Sequence, residues 1–214
     1  MSQNILEYKI ISLGDSGVGK TSIFKRYAFG QFDEDTMTTI GLTFADKNYI
    51  LQNREKVNLK LVDTGGQEKF RSLAKNYYKN ADGVLFVFDH NNKETFEHIK
   101  EWIKLFEENT TDKEIPKFLI GNKNDLENFG NQELFENFIK EHNILRYIST
   151  SAKDNININK TFKEMAEIID SNYNKSGSQH TKKVYLSKRV QLEKEKKRKK
   201  KEGCKFCSGD LYYK

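Results

Sequence analysis

The spacing of apolar residues changes period several times along the chain, and each change predicts an element. Residues 7–13 (EYKIISL) predict a short strand that ends at a glycine-rich loop, and residues 20–28 predict a helix. Residues 42–51 (LTFADKNYIL) and 56–63 (KVNLKLVD) predict two strands of a hairpin around QNRE. In the second, Leu59, Leu61 and Asp63 fall on one face and Val62 on the other. Residues 84–89 (VLFVFD) form the continuous apolar run of a strand covered on both faces. Phe96, Ile99, Ile103 and Phe106 then recur at helical spacing. A strand at 117–121 follows Pro116. A helix is marked by Leu134, Phe135, Phe138 and Ile139, a strand is expected at 145–149, and a last helix is marked by Ile158, Phe162, Met165, Ala166 and Ile169.

Strands that alternate with helices predict an α/β fold with a mostly parallel sheet. Such sheets bind ligands at the carboxyl ends of their strands. There is no internal repeat. From about residue 173 the periodicity fades into NKSGSQ, and KEKKRKKK is low-complexity and self-repelling. The expected organisation is a folded body over 1–172 and a basic tail over 173–214.

Charge sharpens this division. Residues 182–202 carry eleven Lys or Arg against three Glu, and residues 203–214 two Lys against one Asp. Of the formal net charge of +6, this leaves residues 1–181 at −3. A mildly acidic body argues against nucleic acid as its ligand, and the basic tail has its own electrostatic role. The only cysteines are Cys204 and Cys207, so a disulfide within the body is excluded, which fits a reducing cytosol. No stretch approaches the roughly 18 apolar residues of a membrane span. The opening MSQNILEYK lacks the basic start and apolar run expected of a secretory leader.

Three motifs sit just past strands. GDSGVGKT, Gly14 to Thr21, fits G-x-x-x-x-G-K-[ST] between a strand and a helix. Gly14, Gly17 and Gly19 let the backbone wrap close to oxygen atoms, and successive N–H groups form an anion nest at a helix N-terminus. Lys20 can reach terminal phosphates and the Thr21 hydroxyl can bind Mg²⁺. The bland alternative is a glycine-rich turn. GNKND, Gly121 to Asp125, offers the Asp125 carboxylate to the N1–H and exocyclic amine of guanine. Adenine lacks that donor pair, and a carboxylate left unpaired costs roughly 1–3 kcal/mol or more. Asn122 can tie this loop to the phosphate loop, and the Lys123 stem can pack on the base. Alone, N-K-x-D is only a polar turn; its force comes from the phosphate loop before it. STSAK, Ser149 to Lys153, can read the base carbonyl through the N–H groups of Ala152 and Lys153.

These motifs, with TTIG at 38–41 and DTGGQE at 63–68, resemble in order and spacing those of the Ras-like small GTPases, and within them the Rab family. Asp15-Ser16, IGLTF at 40–44, KFRSL at 69–73 and YYKNA at 77–81 are Rab-like. The resemblance covers roughly residues 6–172. It implies a three-layer fold with a six-stranded sheet, one edge strand antiparallel, flanked by helices. It implies a GTP/GDP switch that needs Mg²⁺, with nucleotide contacts at Asp15, Ser16, Gly17, Val18, Gly19, Lys20, Thr21, Ser22, Phe32, Thr39, Asp63, Gly66, Asn122, Lys123, Asp125, Ser151, Ala152 and Lys153. Thr21, Thr39 and Asp63 would serve the metal, Asp63 through a water. Gln67 would orient the attacking water beside Thr39 and Lys20, and Gly66 would offer its N–H to the γ-phosphate. Phe32 would lie edge-on against the guanine. Segments 31–44 and 64–78 would be two springs held by one phosphate. Singly, Thr39, Gln67 and Phe32 also read as strand, surface and core residues.

No arginine is placed to act in cis, so slow unaided turnover is expected, with a partner's arginine worth roughly 10³–10⁵-fold. Expected partners are GTP-dependent effectors, an exchange factor, a GTPase-activating protein and an anionic membrane surface; nucleic acid is not expected, and the chain is expected to be monomeric. The expected location is the cytosolic face of an intracellular membrane.

Two departures stand out. Most Rabs have Trp where this chain has Val62, and Ala where it has Gly65. The Trp normally joins a surface triad whose other members match Phe44 and Tyr77, so an atypical effector set and a looser second switch are expected. The tail ends GCKFCSGDLYYK, with seven residues after Cys207, which is not a C-a-a-X box. Lipidation of the cysteine pair, a solvated charge run, a nuclear-import-like patch and half a zinc site all remain open here. The rivals to a cycling GTPase are a GTP-binding scaffold with very slow or no hydrolysis and a small nucleotide kinase. The kinase needs an acceptor site and lid that no segment supplies.

Overall fold

A computed structural model describes residues 6–34, 43–53, 55–63, 78–110, 112 and 114–175. Strand β1 (Leu6–Leu13) leads into helix α1 (Lys20–Phe29). Strands β2 (Thr43–Ile50) and β3 (Lys56–Asp63) form the hairpin, and β4 (Gly83–Asp89) follows. Helices α2 (Lys93–Glu97) and α3 (Ile99–Asn109) precede β5 (Lys117–Asn122), α4 (Gln132–Glu141), β6 (Arg146–Ser149) and α5 (Ile158–Lys175). The six strands lie in the order β2-β3-β1-β4-β5-β6, and only the β2–β3 pairing is antiparallel. This is the sheet implied by the resemblance.

Parity along the strands builds two cores. Ile10, Leu59, Leu61, Leu85, Val87, Phe118 and Ile120 face one side and pack on α1 and α5 through Ile23, Phe24, Phe162 and Met165. Ile11, Leu13, Val62, Val84, Phe86, Phe88 and Leu119 face the other and meet Phe96, Ile103, Phe106 and Phe135 from α2, α3 and α4. Burial of these side chains, about 1.5–3 kcal/mol each, is what drives the sheet to form between two helical layers. Val62 is fully buried in the second core. It fills the protein interior; Tyr77 and the Phe44 side chain lie outside the described residues.

The single helix expected around Phe96 to Phe106 is interrupted at His98, whose own N–H still reaches the Glu94 carbonyl. Leu134, expected to mark the buried face of α4, is instead about 40% exposed, while Phe135 and Phe138 are buried. Helix α5 runs on to Lys175 because its last turns have partners. Tyr173 stacks on Tyr8 and donates to Asp82, and Tyr8 donates to Asp170 at 2.8 Å. The hairpin turn is tied to the same helix: Tyr49 and the Gln52 N–H both reach Glu167 at 3.0 Å.

A buried histidine closes the layer under the β5 and β6 ends. His90 Nε2 lies 2.9 Å from the Tyr147 hydroxyl and 3.2 Å from Ser149 Oγ, while Nδ1 is buried with no hydrogen-bond partner among the described residues. A methyl group added at Gly121 would come within 2.3 Å of the His90 ring. Burial lowers the His90 pKa below its ordinary 6.5, against a smaller opposing pull from Asp89. Above 6.5 the ring is neutral folded or unfolded and contributes no pH dependence. Below it the unfolded chain takes up a proton that the folded chain refuses, so stability falls, by at most about 1.4 kcal/mol per pH unit. Urea unfolding at about pH 7.5 and about pH 5.5 is expected to show this loss in the wild type and a smaller loss in His90→Leu. Equal losses in the two proteins would contradict it.

Candidate nucleotide-binding site

The parallel register brings the strand ends to one level. Ser12 pairs with Asp63, Asp89 with Asn122, and Gly121 with Ser149. The three sequence motifs leave from these positions, with Asp63 at the end of β3 beside them, so the edge they share is where the chemistry collects.

The phosphate loop crosses the end of central strand β1. Gly14 has φ +147°, and a Cβ there would meet the Val87 carbonyl at 2.0 Å, so the loop can pass this close to β4 only as glycine. Gly19 has φ +93° and caps α1; a Cβ would strike Asn122 Nδ2 at 2.2 Å. Val18 is buried, while Ser16 and Gly17 face outward at the tip of the loop. Ser22 is buried on the first turn of α1. Lys20 is only 4% exposed, and its ammonium donates to the carbonyls of Gly14 (2.8 Å) and Asp15 (2.6 Å). It is thus aimed across the mouth of its own loop. The Asp15 carboxylate points away from that mouth, so this residue's contribution to an anion nest is its backbone.

Thr21 and Asp63 come together from α1 and β3: the Thr21 hydroxyl donates to Asp63 Oδ2, and Ser12 Oγ donates to Asp63 Oδ1 at 3.4 Å. Asp63 is 1% exposed. A hydroxyl and one carboxylate, both hard oxygen donors, suit Mg²⁺, which is held by one or two protein groups with phosphate oxygens and water completing its shell. The donor set therefore fits the expected metal.

Asn122 braces three loops. Its Nδ2 donates to the Val18 carbonyl at 2.9 Å, and its Oδ1 accepts from the Ala152 N–H (3.2 Å) and Thr150 Oγ1 (3.3 Å). Asp125, exposed at the rim, accepts from Ser151 Oγ at 2.6 Å, which fixes one of its oxygens and leaves the other facing out. Lys123 sits at φ +64°, and its ammonium pairs with Asp89 at 2.7 Å, which stretches its stem over the site. Phe32 is half-buried, with the Arg26 guanidinium 5.6 Å from its ring centre. Arg26 also donates to the carbonyls of Ala152, Lys153 and Gly30, each at 2.8 Å. Lys153 reaches Glu34 at 3.0 Å, and this partner raises its pKa.

Of the sequence candidates, Thr39, Gly66 and Gln67 lie outside the described residues, as do Gly65, Cys204 and Cys207. Sequence reasoning missed Ser12, Asp89, Thr150 and Arg26. The first two were legible as strand-end polar residues, and Thr150 lay inside a quoted motif. Arg26 gave no signal, because its role depends on a loop 126 residues away.

Asn122→Ala removes the brace and leaves three buried polar groups without it. It is expected to cost about 2–4 kcal/mol in denaturant unfolding and to speed GDP release by about 10- to 100-fold. An unchanged release rate would contradict the bracing role.

Comparison with known proteins agrees with the geometry. The Ras family model matches residues 9–171. The chain is 37% identical over 166 residues to Ras-related protein Rab-10 of Diplobatis ommata, covering 77% of this chain and 82% of that one. It is 39% identical to Ras-related protein Rab-5B of Plasmodium falciparum, covering 77% and 79%, and 39% identical to Ras-related protein SEC4 of Saccharomyces cerevisiae, covering 75% and 74%. A phosphate loop, a Thr–Asp oxygen pair and a carboxylate at the base rim, on this sheet and with these relatives, place the chain in the Ras family as a Rab-like small GTPase, a family that binds GTP and GDP with Mg²⁺.

Proposed function

We propose that the protein cycles between GTP and GDP by hydrolysing GTP, and that the two forms differ in which partners they engage during membrane traffic. The observation that carries this reading is the meeting of Thr21 and buried Asp63 from α1 and β3, with the Lys20 ammonium held on the carbonyls of the phosphate loop.

Asp125 reads the guanine edge, with Ser151 restraining its rotation, while Lys153 offers its N–H to the base carbonyl and the Ala152 N–H, held by Asn122, shapes the loop beside it. Phe32 and the Lys123 stem flank the ring. The backbone of 15–19 and Lys20 bind the phosphates. Thr21, Asp63 and Thr39 would hold Mg²⁺, which when bound would supply charge neutralisation at the phosphates. Gln67 orients the attacking water, and Gly66 and Thr39 sense the γ-phosphate through their N–H groups. Loss of that phosphate frees both segments, which is the switch.

Arg26 is committed to three carbonyls on the base side of the site. This supports a partner, rather than the chain itself, as the source of a catalytic arginine. The folded body over 1–172 carries this chemistry. The basic tail over 173–214 gives electrostatic attachment to an anionic cytosolic membrane face, with Cys204 and Cys207 as lipidation sites. The alternative, a scaffold that binds GTP without turning it over, rests on Gly65 in the second switch.

Purified protein is expected to release phosphate from GTP slowly, on the order of 10⁻⁴–10⁻³ per second, and Gln67→Leu to lower that rate at least about tenfold with GDP affinity unchanged. Wild type that releases no phosphate over many hours, with GTP bound, would establish the scaffold instead.

A further inference from the structure

The phosphate loop contains a carboxylate, Asp15, two residues before Gly17. A negative charge there opposes the polyphosphate the loop exists to hold. The structure shows where that charge goes. Asp15 Oδ2 accepts from His98 Nδ1 at 2.6 Å, and Asp15 Oδ1 accepts from Trp102 Nε1 at 2.7 Å. Both oxygens are therefore taken by donors one helical turn apart, at the point where α2 breaks and α3 begins. Trp102 is buried with Ile99, Ile103 and Phe106 in the second core, so its N–H is rigidly placed. His98 is about two-fifths exposed and stands on the solvent side of the pair.

We propose that His98 and Trp102 are positioning residues for the phosphate loop: together they hold the Asp15 carboxylate away from the nucleotide, and the His98 imidazolium offsets its charge. The reasoning rests on the GTP-binding reading above. Lys20 grips the carbonyls of Gly14 and Asp15. The side-chain clamp on Asp15 holds the same turn of the loop from its outer side. A charge-assisted pair is about twice as strong as a neutral hydrogen bond, so the protonated ring makes the firmer clamp.

The groups facing His98 are all acidic among the described residues: Asp15 from the loop, Glu94 from α2 with Oε1 4.0 Å from Nε2, and Glu101 from α3. They raise its pKa above the ordinary 6.5, Asp15 most of all. The imidazolium contribution is thus fully present below 6.5 and is lost as pH rises through the raised value.

The test is the dissociation rate of fluorescent GTP and GDP from the full chain with Mg²⁺, at about pH 6 and about pH 8.5, for wild type, His98→Gln, Trp102→Phe and each His98 form in an Asp15→Asn background. Glutamine keeps an N–H donor but never a charge. Wild type is expected to release GTP about five- to tenfold faster at the higher pH, and GDP by a smaller factor, since it carries less charge. His98→Gln is expected to release at the faster rate at both pH values, and Trp102→Phe to be faster than wild type at both while keeping the pH dependence. With Asp15→Asn, the His98 change is expected to have no effect. Rates for His98→Gln equal to wild type at both pH values, or the same acceleration with Asp15→Asn as without it, would overturn the clamp while leaving the GTPase reading intact. Wild type that binds neither guanine nucleotide would overturn both.

Discussion

The site depends on one side chain that no nucleotide atom need touch. Asn122, at the end of β5, holds the phosphate loop through Val18 and the STSAK loop through Ala152 and Thr150. Three loops far apart in sequence become one surface because a single buried amide satisfies all of them. Its geometry follows from the sheet. β1 lies between β3 and β4, and β5 lies between β4 and β6, so every chemistry-bearing loop leaves from the same edge. The two apolar cores fix that edge, and a buried amide that would be costly to leave unsatisfied makes the loop arrangement specific.

Charge is managed with the same economy. Asp63 lies almost fully buried against two hydroxyls, Asp89 is paired with Lys123, and Asp15 is drawn toward α3. Each of these three carboxylates has a donor or cation of its own. Arg26 plays the complementary part at the STSAK loop, where it binds the carbonyls of Ala152 and Lys153 and lies near the Phe32 ring. Those two residues are thereby tied to a fixed positive charge, which stiffens the loop.

Much of this was legible in the chain. Alternation in KVNLKLVD placed Leu59 and Leu61 in one core and Val62 in the other, because a strand has period two and both faces are covered. The glycines of the phosphate loop were legible because only glycine tolerates positive φ and close backbone approach together. The break at His98 was not, since Phe96 and Ile99 keep helical spacing across it. Nor was the clamp on Asp15, whose partners lie 83 and 87 residues away. Val62, expected to matter by what it fails to present at the surface, has its side chain in the second core, as the strand alternation requires. Long-range polar pairing leaves no local pattern, and it is the layer of this site that sequence reasoning could not reach.

The central claim is that these strand ends converge on a guanine nucleotide. Calorimetric titration of nucleotide-stripped, folded protein with GDP and with ADP tests it most directly. The account predicts GDP binding tighter than ADP by at least about 10³-fold, the discrimination expected of a site whose polar groups are built to hydrogen-bond one base. Equal affinity for the two diphosphates would contradict it.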